Sequence, residues 1–293
     1  MPFFKGCVCT TAVVIVSIAA SLPMLVLAVI KFSVPNERIR NACTEQASLV
    51  ARAWVSINRA VYFYIHCPQW QVRGLDNLSP DQWYLIISNH QSWTDIAVLV
   101  FLISERAPPL KFFLKQELIW LPFVGVACWV LDFPFMKRHS KEAMVKDPKL
   151  RAQDLERTRQ FCEKFRQRPA SIINYLEGTR FTAEKQKSQV SPYRYLLQPK
   201  SGGMAYVIGN MGDQLQAIID VTIVYKGARR DFFGFLCGQI DPVVVEIKAR
   251  SIPATILAGD YQQSDQFRDQ FKAWVAQLWS EKDALIKKIL DEK

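Results

Sequence analysis

The sequence predicts an α/β fold in which helices flank a mostly parallel central sheet, with an N-terminal helical segment embedded in a membrane. Three observations support this prediction. From residue 69 onward, short apolar runs typical of buried strands alternate with helical patterns, which is the arrangement that produces parallel sheets. A long uncharged run lies near the N-terminus. Residues 265–290 carry an apolar stripe at helical spacing.

The N-terminal segment is long enough to cross a bilayer. Gly6 to Ile30 carry no charge, and 25 residues rising about 1.5 Å each span the roughly 30 Å hydrocarbon core. The run exceeds the roughly 7–15 apolar residues of a signal peptide, so we expect an uncleaved anchor. Pro23 in its middle leaves a kinked or re-entrant hairpin as an alternative.

Charges and thiols predict the compartment and the partner. Lys5 precedes the apolar run, whereas Lys31, Arg38, Arg40 and Arg52 follow it, so the positive-inside rule places the body of the protein in the cytoplasm. Seven scattered cysteines without a CxxC pair are typical of free thiols in a reducing compartment. The net charge of +10 indicates an anionic partner, and the anchor favours an anionic membrane surface over nucleic acid.

The chain is predicted to divide after residue 66. Residues 1–66 form the membrane anchor and an amphipathic helix over 41–66, in which apolar residues recur at spacings near three and four. This second helix can lie on the membrane surface or pack against the domain, and the pattern leaves both open. Residues 67–293 form the α/β domain, which ends in an amphipathic helix over Asp265–Leu290.

The alternation of patterns within the domain predicts its elements in order. Strands are predicted over 69–73, 84–88, 111–115, 171–176, 216–225 and 243–249. Helices are predicted over 96–105, 154–168 and 202–212, with a helical stretch over 117–129 that Pro122 and Gly125 interrupt. Thr182–Gln198 is expected to be a polar loop. Parallel sheets bind ligands at the carboxyl ends of their strands, so the loops after residues 88 and 176 are candidate sites.

The first of these loops holds one of only three histidines, within Ser88-Asn89-His90-Gln91-Ser92-Trp93-Thr94-Asp95-Ile96. An imidazole that takes a proton and a carboxylate that fixes its tautomer are the minimal pair for activating a hydroxyl. A continuous helix would point His90 and Asp95 apart. They can meet if His90 lies in the turn and Asp95 in the first helical turn. For the two residues alone, a capped helix start beside an unrelated histidine is the favoured explanation.

Three other runs could bind an anion. Glu177-Gly178-Thr179-Arg180 combines close backbone approach, a hydroxyl and a guanidinium, which suits a phosphate, although it also fits a turn with a surface arginine. Lys200 precedes Ser201-Gly202-Gly203 at a predicted helix N-terminus, which is either an anion site or a glycine-rich turn. The apolar strip Phe133–Arg138 ends in two cations and could line a channel or form an edge strand.

In this order, the runs resemble one family, the membrane-bound glycerolipid acyltransferases, and particularly the 1-acylglycerol-3-phosphate (lysophosphatidic acid) acyltransferases. Asn89–Asp95 resembles the family's HX4D block, and Glu177–Arg180 resembles its EGTR block. The second block is matched by Lys115–Leu118, Pro122, Gly125 and Phe135–Arg138, and a lysine–glycine signature by Lys200 and Gly202. The resemblance covers about residues 70–225. Departures at Asp132, Leu176 and 221–223 indicate a divergent bacterial inner-membrane subgroup.

The resemblance implies the roles of the candidate residues. His90 would be the general base and Asp95 its orienting carboxylate. The acceptor phosphate would lie near six residues, Arg138, Glu177, Gly178, Thr179, Arg180 and Lys200. The acceptor would be a lysophospholipid, and the donor an acyl thioester on coenzyme A or acyl carrier protein, with no bound cofactor and no metal. A membrane-tethered lipid-binding protein without turnover, or a lipid hydrolase using the same pair, are the alternatives.

Overall fold

Eight strands form the framework of the molecule. The computed structural model describes residues 1–76, 78–121, 124–136, 148–227 and 229–292. The strands are β1 (Trp70–Arg73), β2 (Trp83–Ser88), β3 (Leu110–Phe112), β4 (Leu114–Lys115), β5 (Phe135–Met136), β6 (Ser171–Tyr175), β7 (Leu215–Tyr225) and β8 (Val243–Arg250). Six of them form one sheet in the spatial order β1-β8-β7-β2-β6-β3, and β4 pairs with β5 separately.

The direction of the strands brings four carboxyl ends to one edge of the sheet. β3, β6, β2 and β7 are mutually parallel, with Ser88 of β2 opposite both Tyr175 of β6 and Val221 of β7. β8 runs antiparallel to β7, and β1 is parallel to β8. The predicted α/β fold with a mostly parallel sheet is therefore confirmed, and the loops that follow β2, β6 and β7 leave from the same edge.

Helices cover both faces of this sheet. They are α1 (Pro2–Ser33), α2 (Glu37–His66), α3 (Thr94–Ile103), α4 (Val124–Val130), α5 (Pro148–Arg166), α6 (Ala183–Ser188), α7 (Ser201–Met211), α8 (Phe232–Leu236), α9 (Ala254–Leu257) and α10 (Asp265–Asp291). On β2, Leu85 and Ile87 pack into one core with α7 and α10. Tyr84 and Ile86 point to the opposite face and pack with α2 and α3. The strand is apolar along its whole length because both of its faces are buried.

The N-terminal helix α1 is continuous through Pro23, so the structure contains one long helix in place of a kinked hairpin. It is long and apolar enough to cross a membrane. α2 packs against both α1 and the domain. The indole nitrogen of Trp54 donates to Ser17 Oγ at 3.0 Å, and Tyr62 stacks on Phe235 of α8 at 4.3 Å. The helix pair therefore shares a hydrophobic core with the sheet.

Several predicted boundaries are wrong. The run 111–115 is two strands in different sheets, because the chain turns between β3 and β4 to reach β5. The polar segment 182–198 contains α6, which Thr182 caps by accepting from the main-chain N–H of Lys185. α5 begins at Pro148, six residues before the predicted start, since proline suits a first helical turn. The short helices α8 and α9 have too few residues to show a period.

A buried ion cluster joins α10 to β7. The side chain of Lys282 is 0% exposed, and its Nζ lies 2.5 Å from Asp220 Oδ1 and 2.6 Å from the carbonyl of Val221. Arg250 of β8 donates to the other oxygen of Asp220 at 2.8 Å. Burial disfavours the charged form of Lys282 and lowers its pKa, although Asp220 opposes that shift. Both charges are therefore tolerated only as a pair.

We predict that Asp220→Ala lowers the free energy of unfolding by about 3–5 kcal/mol, because it leaves the Lys282 ammonium buried without a counter-charge. Lys282→Met is the matched control and should cost less, since Asp220 keeps Arg250 as its partner. Adding Lys282→Met to Asp220→Ala should restore part of the loss. Denaturant unfolding of the purified proteins in detergent measures all three. Equal stability of Asp220→Ala and wild type would contradict the prediction.

Candidate active site

His90 and Asp95 meet at the carboxyl edge of the sheet. His90 lies in the turn that leaves β2, and Asp95 lies in the first turn of α3. His90 Nδ1 is 2.9 Å from Asp95 Oδ2. The Asp95 side chain is 1% exposed, whereas the His90 side chain is 14% exposed. This is the arrangement in which the carboxylate occupies Nδ1 and leaves Nε2 as the ring nitrogen that can receive a proton.

Four donors surround the Asp95 carboxylate. Besides His90, the main-chain N–H groups of Gln91 and Ser92 donate to Oδ2 at 2.6 and 2.8 Å. The hydroxyl of Tyr225, at the end of β7, donates to Oδ1 at 2.6 Å. Burial, together with the neighbouring Asp95 charge, raises the pKa of Tyr225 well above its ordinary value, so the phenol stays a donor. The four donors therefore fix the carboxylate in an orientation that aims it at the imidazole.

The imidazole ring is also fixed from its face. Tyr175, the last residue of β6, stacks on His90 with ring centroids 4.1 Å apart and an interplanar angle of 19°. Its buried hydroxyl has no hydrogen-bond partner in the described part of the chain, and burial raises its pKa well above the ordinary value. Since Tyr175 packs against one face and Asp95 holds Nδ1, the ring has one defined orientation.

Two buried polar side chains hold the turn itself. Asn89 makes a reciprocal pair with the main chain of Ile223 on β7, at 2.8 and 2.9 Å. Glu177, 0% exposed, accepts the main-chain N–H of His90 at 3.1 Å and that of Leu197 at 3.4 Å. Burial raises the pKa of Glu177 to about 8, although these two N–H groups act in the opposite direction. Glu177 therefore points inward and joins the loops of the site.

Gly178, which follows Glu177, lets the Lys200 side chain approach the backbone closely. Gly178 has φ +66°, and a Cβ there would lie 3.1 Å from the Cδ and Nζ atoms of Lys200. A side chain at this position would strain the backbone and push the lysine away. The main-chain N–H of Lys200 donates to the carbonyl of Leu176 at 2.6 Å. The structure thus brings Lys200 against the loop after β6, as the anion hypothesis requires.

The remaining predicted residues have different surroundings. Arg180 is exposed and lies over the Trp93 ring, with its guanidinium carbon 4.8 Å from the centroid. The Thr179 hydroxyl accepts from Lys185 Nζ at 2.8 Å, so the lysine is a third cation at this loop. Arg138 lies outside the described residues. Three cations, Arg180, Lys185 and Lys200, therefore lie at the loop after β6, which is bonded to the His90 carbonyl through the main-chain N–H of Phe181.

Sequence reasoning missed residues that support the His90–Asp95 pair in space but lie far from it in the sequence. Tyr175 and Tyr225 each end an apolar strand at the carboxyl edge, and that position is the signal that could have identified them. Arg230 has no such signal. Its carbonyl accepts from the hydroxyls of Ser92 and Thr94, and its guanidinium donates to the side chain of Gln91 at 3.1 Å.

The donor set of the site is imidazole, carboxylate and phenol. Within the described ranges, no group of three or more His, Cys, Asp and Glu side chains converges as a metal site requires. One base with a free nitrogen, a buried counter-charge and nearby cations suit proton transfer beside an anionic group. Fold and site together define an α/β protein with a His–Asp pair at the carboxyl edge of its sheet.

The family follows from comparison with known proteins. A model of the family described as Acyltransferase matches residues 69–226, which include every site residue discussed above except Arg230. This match spans more than half of the chain. The chain belongs to the acyltransferase family.

Its relatives are distant. It is 24% identical over 238 residues to a 2-acyl-1-lysophosphatidylinositol acyltransferase from Saccharomyces cerevisiae, across 69% of this chain and 60% of that protein. It is 28% identical over 218 residues to a 1-acyl-sn-glycerol-3-phosphate acyltransferase 2 from Brassica oleracea, across 70% of this chain and 51% of that protein. The matches thus span about half to three fifths of the length of these curated relatives.

A solved structure shares the fold. The crystal structure of the 1-acyl-sn-glycerophosphate (LPA) acyltransferase, PlsC, from Thermotoga maritima superposes with a TM-score of 0.51 at 15% sequence identity. The superposition covers 95% of this chain and 98% of that one, so it includes the N-terminal helices. The arrangement of helix pair and sheet is therefore a shared architecture.

We predict that Tyr225→Phe lowers the free energy of unfolding by about 1–3 kcal/mol, because the buried Asp95 carboxylate loses a charge-assisted donor. Tyr175→Phe is the matched control. It removes the same atom from a buried tyrosine at the same edge, where the hydroxyl has no described partner. Its stability should stay within about 0.5 kcal/mol of wild type. Denaturant unfolding in detergent checks both, and equal losses in the two variants would refute the role given to Tyr225.

Proposed function

We propose that the protein transfers a fatty acyl group from a thioester to the free hydroxyl of a lysophospholipid at the cytoplasmic face of the inner membrane. The donor is acyl-CoA or acyl-ACP, and the acceptor is 1-acylglycerol-3-phosphate or a close relative. The observation that carries the proposal is the His90–Asp95 pair with Nε2 free, set beside a cationic loop in a chain of the acyltransferase family.

The reaction needs one proton carrier. His90 Nε2 takes the proton of the acceptor hydroxyl while that oxygen attacks the thioester carbonyl. The tetrahedral intermediate collapses, the carbon–sulfur bond breaks, and the thiolate leaves with the proton from the imidazolium. Asp95, 2.9 Å from Nδ1, stabilises the imidazolium between these steps. The ester forms directly, without an acyl-enzyme.

The names of the relatives support a lysophospholipid as the acceptor class. The yeast relative is named for a lysophosphatidylinositol, and the plant relative for 1-acyl-sn-glycerol-3-phosphate. Both acceptors carry a phosphate on a glycerol that bears one acyl chain and one hydroxyl. The phosphate is their common charged group, so a cationic loop near the base suits either acceptor.

Arg180 is the cation best suited to hold that phosphate. Its guanidinium is exposed, stacks on Trp93 and has no acidic partner in the described part of the chain. Trp93 belongs to the run that carries His90, so the stack fixes the distance between the guanidinium and the base. Binding the phosphate at this distance converts binding energy into orientation of the hydroxyl. Lys200 and Lys185 add positive charge at the same loop.

We predict that His90→Ala lowers the rate of acyl transfer by about 10²–10⁴-fold, the usual contribution of a general base. The protein should remain folded and in the membrane fraction, because Asp95 keeps its three other donors. Transfer of a radiolabelled acyl group to lysophosphatidate measures the rate. His66→Ala, which removes an imidazole from α2, should keep the rate within a fewfold of wild type. Near-wild-type turnover by His90→Ala would refute the mechanism.

We predict that Arg180→Ala raises the Michaelis constant for a phosphorylated acceptor by about tenfold, since it removes a charge-assisted contact. Arg194→Ala is the matched control, because Arg194 is also exposed and stacks on an aromatic ring, that of Tyr195 at 5.4 Å. Acceptor titrations with lysophosphatidate and with monoacylglycerol separate the phosphate contribution. An unchanged constant for Arg180→Ala would assign the phosphate elsewhere.

The same assay distinguishes the two alternatives. Release of fatty acid without acylated lipid would identify a hydrolase, in which water replaces the acceptor at His90. Absence of both products, with the lysolipid still bound, would identify a lipid-binding protein without turnover.

A further inference from the structure

Two cavities meet at the amino edge of the sheet, opposite the edge that carries His90. One is an apolar groove between the N-terminal helices, α4 and β3, and the other is a polar basin beside the starts of β3 and β6. Four residues line both cavities, Ser48, Arg52, Pro109 and Lys111. The two spaces are therefore neighbouring parts of one amphipathic site. No residue described as lining either belongs to the catalytic run 88–96 or to 175–180.

The groove has the dimensions and lining of a hydrocarbon site. Its volume is about 350 Å³, and its walls are mostly aliphatic and aromatic side chains, among them Met24, Val55 and Leu110. The groove runs beside α1, which is the helix long and apolar enough to enter a membrane. An acyl chain can therefore reach it from the hydrocarbon region without crossing water.

The basin, of about 650 Å³, has an excess of positive charge. Six cations and three carboxylates line it, namely Lys31, Arg40, Arg52, Lys111, Lys164 and Arg168 against Glu37, Glu45 and Asp132. Asp132 lies 2.9 Å from both Lys31 and Lys164, and Glu45 pairs with Arg168 at 3.3 Å. Arg40, Arg52 and Lys111 have no acidic partner within salt-bridge distance among the residues described.

Lys111 is a buried cation of the basin that has no acidic partner within salt-bridge distance among the described residues. It is 7% exposed, its ammonium group donates to the carbonyl of Leu131, and it lies 5.0 Å from the centroid of the Phe133 ring. Burial lowers its pKa to about 8. A buried ammonium with neutral partners is costly, and an anion in the basin would offset that cost.

The order of the two cavities along α1 matches the order of groups in a lipid. The groove contacts the middle of the helix, from Ser17 to Met24, and the basin begins at Lys31, the first charge after the apolar run. These seven residues from Met24 to Lys31 rise about 10 Å. A phosphate at the basin therefore lies at membrane-surface depth while its chain descends beside α1.

We propose that the joined cavities bind one anionic phospholipid that is not a substrate, with its phosphate between Arg40, Arg52 and Lys111 and an acyl chain in the groove. The lipid fills the space between the helix pair and the domain. The assignment does not use the residues proposed for the transfer reaction, since neither cavity is lined by a residue of 88–96 or 175–180.

Native mass spectrometry of the full chain tests the headgroup contact. The protein is released from nanodiscs of phosphatidylglycerol and phosphatidylcholine in equal amounts. Wild type should retain one phosphatidylglycerol in preference to phosphatidylcholine. Arg40→Gln with Arg52→Gln should lower that preference about 30-fold, since two surface cations are lost. Lys248→Gln with Lys272→Gln removes the same charge from distant exposed positions and should leave it unchanged. Equal retention of the two lipids by wild type, or equal losses in both double variants, would overturn the proposal.

A second variant tests the chain contact. Ala51→Phe places a ring in the groove and should reduce retention of a long-chain phosphatidylglycerol at least tenfold, while a dihexanoyl analogue binds as in wild type. Inorganic phosphate alone should bind at least tenfold more weakly than the lipid. Phosphate binding as tight as lipid binding, or retention that Ala51→Phe does not change, would make the site one for free anions and overturn the assignment to a phospholipid.

Discussion

Burial of one carboxylate, that of Asp95, determines how the carboxyl edge of the sheet is built. A charge removed from water must be met by donors, and here they come from two segments, the turn after β2 and the end of β7. The turn after β2 gives two main-chain N–H groups, His90 gives its ring nitrogen, and β7 gives the Tyr225 hydroxyl. The same contacts that make the charge tolerable also aim it at the imidazole. The contacts that stabilise the fold at this edge are therefore the same contacts that orient the Asp95 carboxylate toward His90.

The parallel order of the sheet places the required side chains next to one another. β6 and β7 flank β2, so Tyr175 and Tyr225 end beside the turn that carries His90. Asn89 ties this turn to β7 by two hydrogen bonds, and the buried Lys282 ties β7 to α10. A shift of β7 along the sheet would break these contacts together. The site thus depends on strand register as much as on the residues that face the substrate.

Local patterns were sufficient to predict most of the strands and the long helices, and to show that His90 could meet Asp95, because apolar periodicity and a turn followed by a helix start are short-range features. They were insufficient for Tyr225, which lies 130 residues from Asp95 in the chain. They also missed the antiparallel direction of β8, since pairing partners are not visible in one strand. The amphipathic pattern over 265–290 does not identify Lys282 as buried, and only the packing of α10 on β7 explains its burial.

Glu177 belongs to the block Glu177–Arg180, although a carboxylate has the same sign of charge as the phosphate expected beside that block. A carboxylate next to an acceptor phosphate would repel it. Here the side chain points inward, and burial raises its pKa to about 8. It still accepts the main-chain N–H of His90 and thereby connects the loop of Arg180 to the loop of the base. The buried carboxyl of Glu177 therefore positions two loops, and the exposed Arg180 is the member of the block that is available to an anion.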